Sequence, residues 1–188
     1  MDQNMSAFLR VLDATDNSTG GGTASSVAGA MAAGLTAMVA RLSMGKKSLA
    51  PPEHYERIAT EAEKLSRELF DGGFEDAAAF ERVSTAYKMP GNTADAKSSR
   101  SRAIQTAMVH AAEVPLSNAG RCRRVLELGR DLEESYNTNA ASDLECAGYL
   151  ASAGLKGCAA NVRINLAYIK DRKISEKIES KLEAILKD

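Results

Sequence analysis

The segment 18-STGGGTASSVAGAMAAGLTAMVARLSMGKK-47 restricts the fold of this chain more than any other stretch of its sequence. Three glycines open the segment, small side chains fill most of its middle, and a basic cluster closes it. Three structures are compatible with such a run: a phosphate-binding loop, a membrane span, or a helix packed closely against its neighbours. Each of them predicts a different kind of protein.

The first two structures fit the segment poorly. Gly20-Gly21-Gly22 lacks a preceding strand and the GK[ST] ending that places a lysine on a nucleotide. Residues 23–40 are uncharged and long enough to span a membrane, but Ala, Gly, Ser and Thr contribute little transfer free energy. The glycines could still expose backbone N–H groups at the positive end of a helix, where a carboxylate or another acceptor can bind.

The third structure, a buried helix, explains the segment best. A glycine inside a helix costs roughly 0.5–1 kcal/mol relative to alanine, so Gly29 and Gly34 indicate that a neighbouring helix or a flat ligand needs the space. We therefore predict the central helix of a bundle, and close packing across a dimer interface would be one use of it. On a helical wheel, Val27, Met31, Leu35, Met38 and Leu42 form one row, and Ser26, Ala30, Gly34 and Ala37 form an adjoining small-residue row.

Hydrophobic residues recur at steps of three and four through the rest of the chain, which is the spacing of helices. A helix that begins near Tyr55 is predicted to end at Gly72-Gly73, and Pro115 is predicted to start a new helix after one covering 93–113. Short connections make neighbouring helices antiparallel, so we predict an all-α, up-and-down multi-helix bundle forming a single domain over residues 1–188. The further predicted breaks are Pro90-Gly91, Asn137-Thr138-Asn139 and Asp171-Arg172-Lys173.

Charge and cysteine content narrow the class of protein. The chain has 24 basic and 25 acidic residues, so it lacks the basic field that holds nucleic acid. Its three cysteines are widely spaced and form no CxxC pair, which predicts neither a disulfide framework nor a zinc site. The N-terminal residues lack the continuous apolar core of a secretory signal. We expect a cytoplasmic protein that binds no metal, nucleic acid or membrane.

Asp76 is the acidic residue whose position points to chemistry. It precedes Phe80, Val83 and Tyr87 at steps of four, three and four residues, so its carboxylate extends an apolar stripe. Burial would raise its pKa, whereas a place in the first turn of a helix would lower it, and both outcomes are open. The alternative interpretation is an acid that merely favours the start of a helix.

Four sequence blocks resemble one enzyme family. The segment GGGTASSVAGAMAAGLTAMVARLSMGKK resembles the Gly-rich opening of the cyclodeaminase domain of formiminotransferase-cyclodeaminase and of related stand-alone methenyltetrahydrofolate cyclohydrolases. The blocks 75-EDAAAFERVSTAYKMP-90, 111-AAEVPL-116 and 142-SDLECAGYLASAGLKGCAANVRINL-166 follow in the family's order. Two departures are Thr19, where the family usually has proline, and Gly72-Gly73 before the EDA motif. The resemblance implies an all-helical homodimer that acts on a reduced folate.

The resemblance also implies roles for particular residues. Asp76 matches the family's proton-accepting aspartate, and the cleft would be formed by the glycine segment, the Asp76 helix and the helix of Asn161 and Asn165. Those two amides could bind the edge of the pterin ring, or they could stabilise a helix contact. A basic cluster could hold the folate's anionic glutamate tail, or it could be a solvated helix end favoured by the helix dipole. Asp76 is the candidate catalytic residue. The candidate substrate-binding residues are Gly20, Gly21, Gly22, Arg41, Lys46, Lys47, Asn161 and Asn165.

The reaction implied first is the cyclisation of 5-formimino-tetrahydrofolate to 5,10-methenyl-tetrahydrofolate with release of ammonia, a step of histidine degradation. The alternative is a cyclohydrolase that converts 5,10-methenyl- to 10-formyl-tetrahydrofolate. No cofactor beyond the tetrahydrofolate substrate and no metal is expected. This sequence contains no formiminotransferase domain, so a separate formiminotransferase is the expected partner of the first reaction. A non-catalytic helical module that binds folate or protein, or serves assembly alone, is the remaining alternative.

Overall fold

The computed structural model describes residues 10–47 and 49–187, and this part of the chain folds into helices without a strand. The predicted all-α class is therefore confirmed. A 3₁₀ turn at Thr138–Ala140 leads into the fourth helix. The helices are α1 (Gly21–Ser43), α2 (Pro52–Lys88), α3 (Ala94–Glu133), α4 (Ala141–Leu166) and α5 (Arg172–Leu186).

The first four helices form an antiparallel bundle. Helix α1 packs on α2 and α4, while α3 packs on the same two helices from the other side, and α5 lies against α3 and α4. Arg57, near the start of α2, pairs with Asp131 near the end of α3 at 3.0 Å. The N–H of Asn137, just before α4, donates to Ser43 Oγ at the end of α1 at 2.9 Å. Both contacts join the start of one helix to the end of its neighbour.

Helix α1 is the central helix, as predicted, but its orientation was not foreseen. Its small residues face the other helices, and a Cβ added to Gly29 would lie only 2.5 Å from Cys122 Sγ. Its large apolar side chains point outward instead: Met31 is 46% exposed, Met38 39% and Leu42 46%. The small row therefore lies inside the bundle except for Gly34, which is exposed and where an added Cβ would meet only Ser66 Oγ at 3.8 Å, so nothing among the described residues needs the space predicted there. In the large row Val27 is buried, and Met31, Met38 and Leu42 form an apolar surface stripe.

Within the described residues, α1 is the one helix with the length and hydropathy that a membrane crossing requires. More than half of that apolar window, 56%, is buried against the other helices of the same chain. The core helix of a bundle meets the same criteria of length and composition.

The prediction that Gly72-Gly73 ends a helix is wrong, because α2 continues through both glycines to Lys88. A Cβ on Gly72 would overlap the amide of Asn118, whose Nδ2 donates to the Gly72 carbonyl at 3.1 Å. The Gly73 carbonyl accepts a hydrogen bond from the Thr23 hydroxyl at 3.2 Å. The two glycines thus let α1 and α3 approach α2 closely, and tertiary packing outweighs their low helix propensity.

The prediction that Pro115 begins a helix is also wrong, because Pro115 lies inside the continuous helix α3. A proline removes the N–H that would bond to the carbonyl four residues earlier, here that of Ala111. Asn165 supplies the missing donor from α4, with its Nδ2 2.7 Å from the Ala111 oxygen. A hydrogen bond between two helices thereby replaces one within a helix.

The other predicted breaks are confirmed. Helix α2 ends at Lys88, just before Pro90-Gly91, and the Asn137-Thr138-Asn139 segment separates α3 from α4. Asp171 caps α5 by accepting from the backbone N–H of Lys173 at 2.9 Å. These breaks coincide with residues that offer a cap or cannot continue a helix at low cost.

Candidate active site

A cavity of about 310 Å³ lies at the N-terminal end of α1, where α2, α3 and α4 meet it. The structure brings Asp76, the three glycines and both predicted asparagines to its wall, although they come from three separate parts of the sequence. The lining residues are Asn17, Ser18, Thr19, Gly20, Gly21, Gly22, Asp76, Ala77, Phe80, Val83, Met108, Ala111, Asn161, Ile164, Asn165 and Tyr168.

Asp76 is half-buried in the interior of α2, far from that helix's first turn. Burial raises the pKa of its carboxyl above the ordinary value, and hydrogen bonding from Thr23 opposes this in part. The Thr23 hydroxyl lies 3.3 Å from Oδ2. Desolvation therefore prevails, although the carboxyl faces the first turn of α1, where the hydroxyl and the backbone N–H of Thr23 favour its ionised form.

Gly22, in the first turn of α1, faces the Asp76 carboxylate directly. A Cβ at this position would overlap both carboxylate oxygens and also Asn161 Nδ2. Glycine is consequently the residue that allows α1, α2 and α4 to converge at this point. No other described residue comes within 4 Å of a Cβ added to Gly20 or Gly21, so their lack of a side chain leaves room for a ligand.

Asn161 and Asn165 form a hydrogen-bonded pair on α4. Asn165 Nδ2 lies 3.2 Å from Asn161 Oδ1 and also donates to the Ala111 carbonyl. The Nδ2 of Asn161 is then left to face Gly22 and Asp76. The wall of the cavity thus presents an amide donor beside a carboxyl group of raised pKa.

The outer wall of the cavity is apolar and open to solvent. Phe80 is 57% exposed, Tyr168 57% and Ile164 63%, whereas Val83 is buried deeper on the same stripe as Asp76. Of the predicted stripe, Phe80 and Val83 therefore line this cavity, Val83 at the edge of the core, whereas Tyr87 does not. Exposed apolar groups of this kind, grouped around a few polar atoms, are typical of a small-molecule site.

Thr19 stands where the resembled family usually has proline. Among the described residues its hydroxyl is the one buried side-chain oxygen or nitrogen without a hydrogen-bond partner. Burying a hydroxyl without a partner costs stability, because its bonds to water are lost and not replaced. The departure from the family sequence therefore leaves an unsatisfied polar group at the entrance to the glycine segment.

The predicted tail-binding residues Arg41, Lys46 and Lys47 are not brought to this cavity. Arg41 lies 19 positions after Gly22 on α1, about 28 Å along the helix axis. Its guanidinium pairs with Glu63 at 2.6 Å and Glu56 at 3.3 Å on the surface. Within one chain these cations occupy the opposite end of the bundle, where acidic side chains of α2 neutralise Arg41.

A different basic cluster, which the sequence did not reveal, lies beside the cavity. Lys97, Arg100 and Lys170 line an adjoining cavity of about 460 Å³ that shares Tyr168 with the first, and no acidic residue of 10–47 or 49–187 lies in its wall. Gln105 fixes one side of it by donating to the Tyr168 carbonyl at 3.2 Å and accepting from the Lys170 N–H at 2.7 Å. Lys170 is remote in sequence from the other two cations, so no spacing could have identified the group.

A larger cavity, about 1230 Å³, lies elsewhere, between α2, α3 and the connection from α4 to α5. Its wall contains His110 but none of the predicted site residues. No group of three His, Cys, Asp or Glu side chains within residues 10–47 and 49–187 is placed to hold a metal ion. The arrangement around Asp76 is therefore the one that combines a carboxyl group of raised pKa with oriented donors.

The three cysteines are free thiols, as the sequence predicted, and none lines the cavity that contains Asp76. Cys122 and Cys158 are buried together beneath α1. A hydrogen bond with Cys122, together with burial, raises the pKa of Cys158 far above its usual range. Its thiol stays protonated at physiological pH and is not a nucleophile.

The fold and the pocket define a class: an all-α bundle with a half-buried acid, set between amides and a glycine-rich helix start. The sequence matches the formiminotransferase-cyclodeaminase family over residues 4–184, and the chain belongs to that family. Its members in the comparison are enzymes, so this chain is a folate enzyme of the cyclodeaminase or cyclohydrolase type.

Individual relatives differ in length and in the reaction they are named for. A methenyltetrahydrofolate cyclohydrolase of Methylorubrum extorquens is 35% identical, and the match covers 98% of this chain and 89% of that protein. The formimidoyltransferase-cyclodeaminase of Rattus norvegicus is 29% identical, and this chain spans 35% of its length. The crystal structure of formiminotetrahydrofolate cyclodeaminase from Thermotoga maritima superposes with a TM-score of 0.82 at 32% identity, covering 94% of this chain and 84% of that one.

Proposed function

We propose that this chain closes the one-carbon bridge of a reduced folate, converting 5-formimino-tetrahydrofolate to 5,10-methenyl-tetrahydrofolate with release of ammonia. The observation that carries the proposal is the Asp76 carboxyl, half-buried with a raised pKa and facing Asn161 Nδ2 across Gly22. A carboxyl group whose pKa is moved toward the working pH can both accept and return a proton.

In this reaction the folate's N10 attacks the formimino carbon and loses its proton. Asp76 accepts that proton and delivers it to the formimino nitrogen, so that the former C=N carbon becomes tetrahedral. The carbon–nitrogen bond to the exocyclic amine then breaks after a further protonation, and ammonia leaves. The bridge between N5 and N10 remains, with the positive charge of a methenyl group.

The second candidate is the hydrolysis of 5,10-methenyl- to 10-formyl-tetrahydrofolate. It is favoured by the cyclohydrolase of Methylorubrum extorquens, which this chain matches over nearly its whole length. Asp76 would take a proton from the water that attacks the methenyl carbon, and the carbon–N5 bond would break as N5 is protonated. Both reactions thus require the same carboxyl group beside the same carbon atom.

The cavity suits a flat heterocycle with a polar edge. Its volume of about 310 Å³ lies at the lower end of small-molecule sites, and the exposed rings of Phe80 and Tyr168 offer faces for stacking. The amides of Asn161 and Asn165 can donate to and accept from the nitrogen and oxygen atoms of a pterin. The open space around Gly20 and Gly21 leaves room on the side of the helix start.

The folate's anionic glutamate end is proposed to bind Lys97, Arg100 and Lys170, in place of Arg41, Lys46 and Lys47. Tyr87, which lines the basic cavity, lies 11 residues beyond Asp76 on α2, about 16 Å along the helix. An elongated substrate could therefore place its one-carbon unit at Asp76 and its carboxylates among the cations. These cations can attract carboxylates there, because no acidic side chain among the described residues lines that cavity.

We propose a homodimer in which the outward face of α1 forms the interface. Met31, Leu35, Met38 and Leu42 lie at steps of three and four residues, and three of them are about 40–46% exposed. A second copy that presents the same stripe would bury it, as closed two-fold contacts do. Sedimentation should show a dimer for the wild type and a monomer for Met38→Glu, whereas a monomeric wild type would refute this contact.

The reaction is tested with purified protein by following the absorbance of methenyl-folate, starting separately from 5-formimino- and 5,10-methenyl-tetrahydrofolate. Formation of the methenyl chromophore from the first substrate supports cyclodeamination, and faster loss of it from the second supports hydrolysis. Asp76→Asn should lower the rate by about 10²–10⁴-fold because the proton acceptor is lost.

The matched control is Glu75→Gln, which removes the neighbouring exposed carboxylate and should keep the wild-type rate. Full activity of Asp76→Asn would assign the proton transfer to another group. Wild-type protein that turns over neither substrate would remove the enzymatic proposal and leave a binding or assembly module.

A further inference from the structure

Pro115 lies in the middle of α3 and cannot donate a backbone hydrogen bond. In an unbroken α-helix the missing bond would run from residue 115 to the carbonyl of Ala111. Ala111 is 6% exposed, and a buried carbonyl needs a donor. The proline therefore creates a demand for a donor from another helix at the wall of the candidate active site.

Asn165 meets this demand in one orientation only. A backbone carbonyl accepts but never donates, so the 2.7 Å contact requires the Nδ2 side of the Asn165 amide to face Ala111. The same Nδ2 group has a second hydrogen atom, and it points to Asn161 Oδ1 at 3.2 Å. The orientation of Asn161 is fixed in turn, with its oxygen toward Asn165.

The other end of the Asn161 amide then faces the reacting acid. Its Nδ2 and both oxygens of Asp76 converge on the space that a Cβ of Gly22 would occupy. With the opposite orientation of the amide, Asn161 Oδ1 would approach the carboxylate, and two acceptors would oppose one another. The orientation of the Asn161 amide thus decides whether Asp76 meets a second donor beside the Thr23 hydroxyl or an opposing acceptor.

We propose that Pro115 is a positioning residue, which frees the Ala111 carbonyl so that it can orient the Asn165–Asn161 amide pair toward Asp76. The proline acts through a main-chain acceptor and does not touch the substrate. The catalytic consequence rests on the function proposed above, while the orientation of the amides can be measured without it.

The direct test is Pro115→Ala, which restores an N–H that competes for the Ala111 carbonyl. The kcat/KM of whichever folate reaction the wild type performs should fall about tenfold, since a small misplacement of a group beside the reacting atoms is costly. The melting temperature should not fall, because the variant gains a hydrogen bond within α3. The matched control is Pro52→Ala, which removes an exposed proline at the start of α2 and should retain the wild-type kcat/KM.

A double-variant cycle separates positioning from general packing. Asn165→Ala removes the amide through which Pro115 is proposed to act, so adding Pro115→Ala should lower kcat/KM by less than about twofold further. If the two substitutions instead reduce kcat/KM independently, the proline acts by another route and the proposal fails. Full activity of Pro115→Ala alone would also overturn it.

Nitrogen–proton NMR of the folate-free protein tests the orientation itself. The side-chain NH₂ signals of Asn165, assigned by their loss in Asn165→Ala, should be protected from exchange in the wild type and lose that protection in Pro115→Ala. Unchanged protection would contradict the proposal even in an active enzyme. If the wild type were inactive on both folates, the proposed function would fail, and this measurement would still decide the role of Pro115.

Discussion

The two ends of α1 were predicted to serve one ligand site, but they lie in different surroundings. At its N-terminal end, Gly22 brings three helices together around the half-buried carboxyl of Asp76. At its C-terminal end, Arg41 lies on the surface between Glu56 and Glu63. The sequence placed both ends at one ligand site, yet the length of the helix separates them by about 28 Å.

This difference shows which signals carry information about a site. On α1, Gly22 and Gly29 report contact, because a Cβ at either position would overlap with a neighbour, whereas Gly34 does not. A cluster of cations at a helix end has a second sufficient explanation, since the helix dipole and nearby acids favour it on the surface. The small residues therefore located the pocket, whereas the charges alone did not.

Of the substitutions that test the two ends of α1, Gly22→Ala at the N-terminal end is expected to have the largest effect. The new methyl group would overlap Asn161 Nδ2 and the Asp76 carboxylate, so one of them must move. We expect kcat/KM to fall about a hundredfold, because displacement of a reacting group by about 1 Å has that effect. Steady-state kinetics with the wild-type substrate provide the measurement.

The control for Gly22→Ala is Gly148→Ala on α4, where a Cβ would meet nothing within 4 Å. It should leave kcat/KM unchanged and stabilise the helix slightly, since alanine is the better helix former. An equal loss of kcat/KM in both variants would mean that the effect of Gly22→Ala does not come from its contact with Asp76 and Asn161.

A second prediction compares the two basic clusters. Arg100→Ala should raise the KM for the folate substrate about tenfold and change kcat little, because it removes uniform binding of the anionic tail. Arg41→Ala at the far end of α1 should change KM less than about twofold. A larger increase in KM for Arg41→Ala than for Arg100→Ala would show that Arg41 contacts the substrate, for example in a site formed between two copies of the chain.

A third prediction uses the raised pKa of Asp76, which burial causes. A carboxyl whose folded pKa exceeds its unfolded value contributes stability below the unfolded pKa, and that contribution is lost as pH rises through the folded pKa. Asp76→Asn should therefore melt a few degrees above the wild type at neutral pH, and the difference should vanish below about pH 3.9, the ordinary value for aspartate. Thermal unfolding across pH measures it, and a more stable wild type at neutral pH would contradict it.

The smallest effect is expected when Arg41, at the C-terminal end of α1, is replaced and the stability of the protein is measured. Arg41→Ala breaks two surface ion pairs, with Arg41 45% exposed, so the free energy of unfolding should fall only slightly. The loss should shrink further in high salt, because exposed charges are screened. A larger loss in urea denaturation would show that this end is more than a solvated surface.

The predicted helix ends show how much of the fold can be inferred from local sequence. Pro90-Gly91 and Asp171 mark real ends because a proline and a glycine continue a helix at a cost and Asp171 caps the helix that follows it. Gly72-Gly73 and Pro115 do not mark ends, because Asn118, Thr23 and Asn165 supply hydrogen bonds from neighbouring helices. No single-sequence pattern reports such partners, since they lie 46 to 54 positions away along the chain.

The sequence by itself determined the all-α class, the use of small residues along α1, and the placement of Asp76 on an apolar stripe. These features follow from helical periodicity and residue size, which are local properties. Only the tertiary structure decided which row of α1 faces inward, that burial governs the pKa of Asp76, and that Lys97, Arg100 and Lys170 adjoin the pocket. Those outcomes depend on distances between helices, and such distances are set when all the helices pack at once.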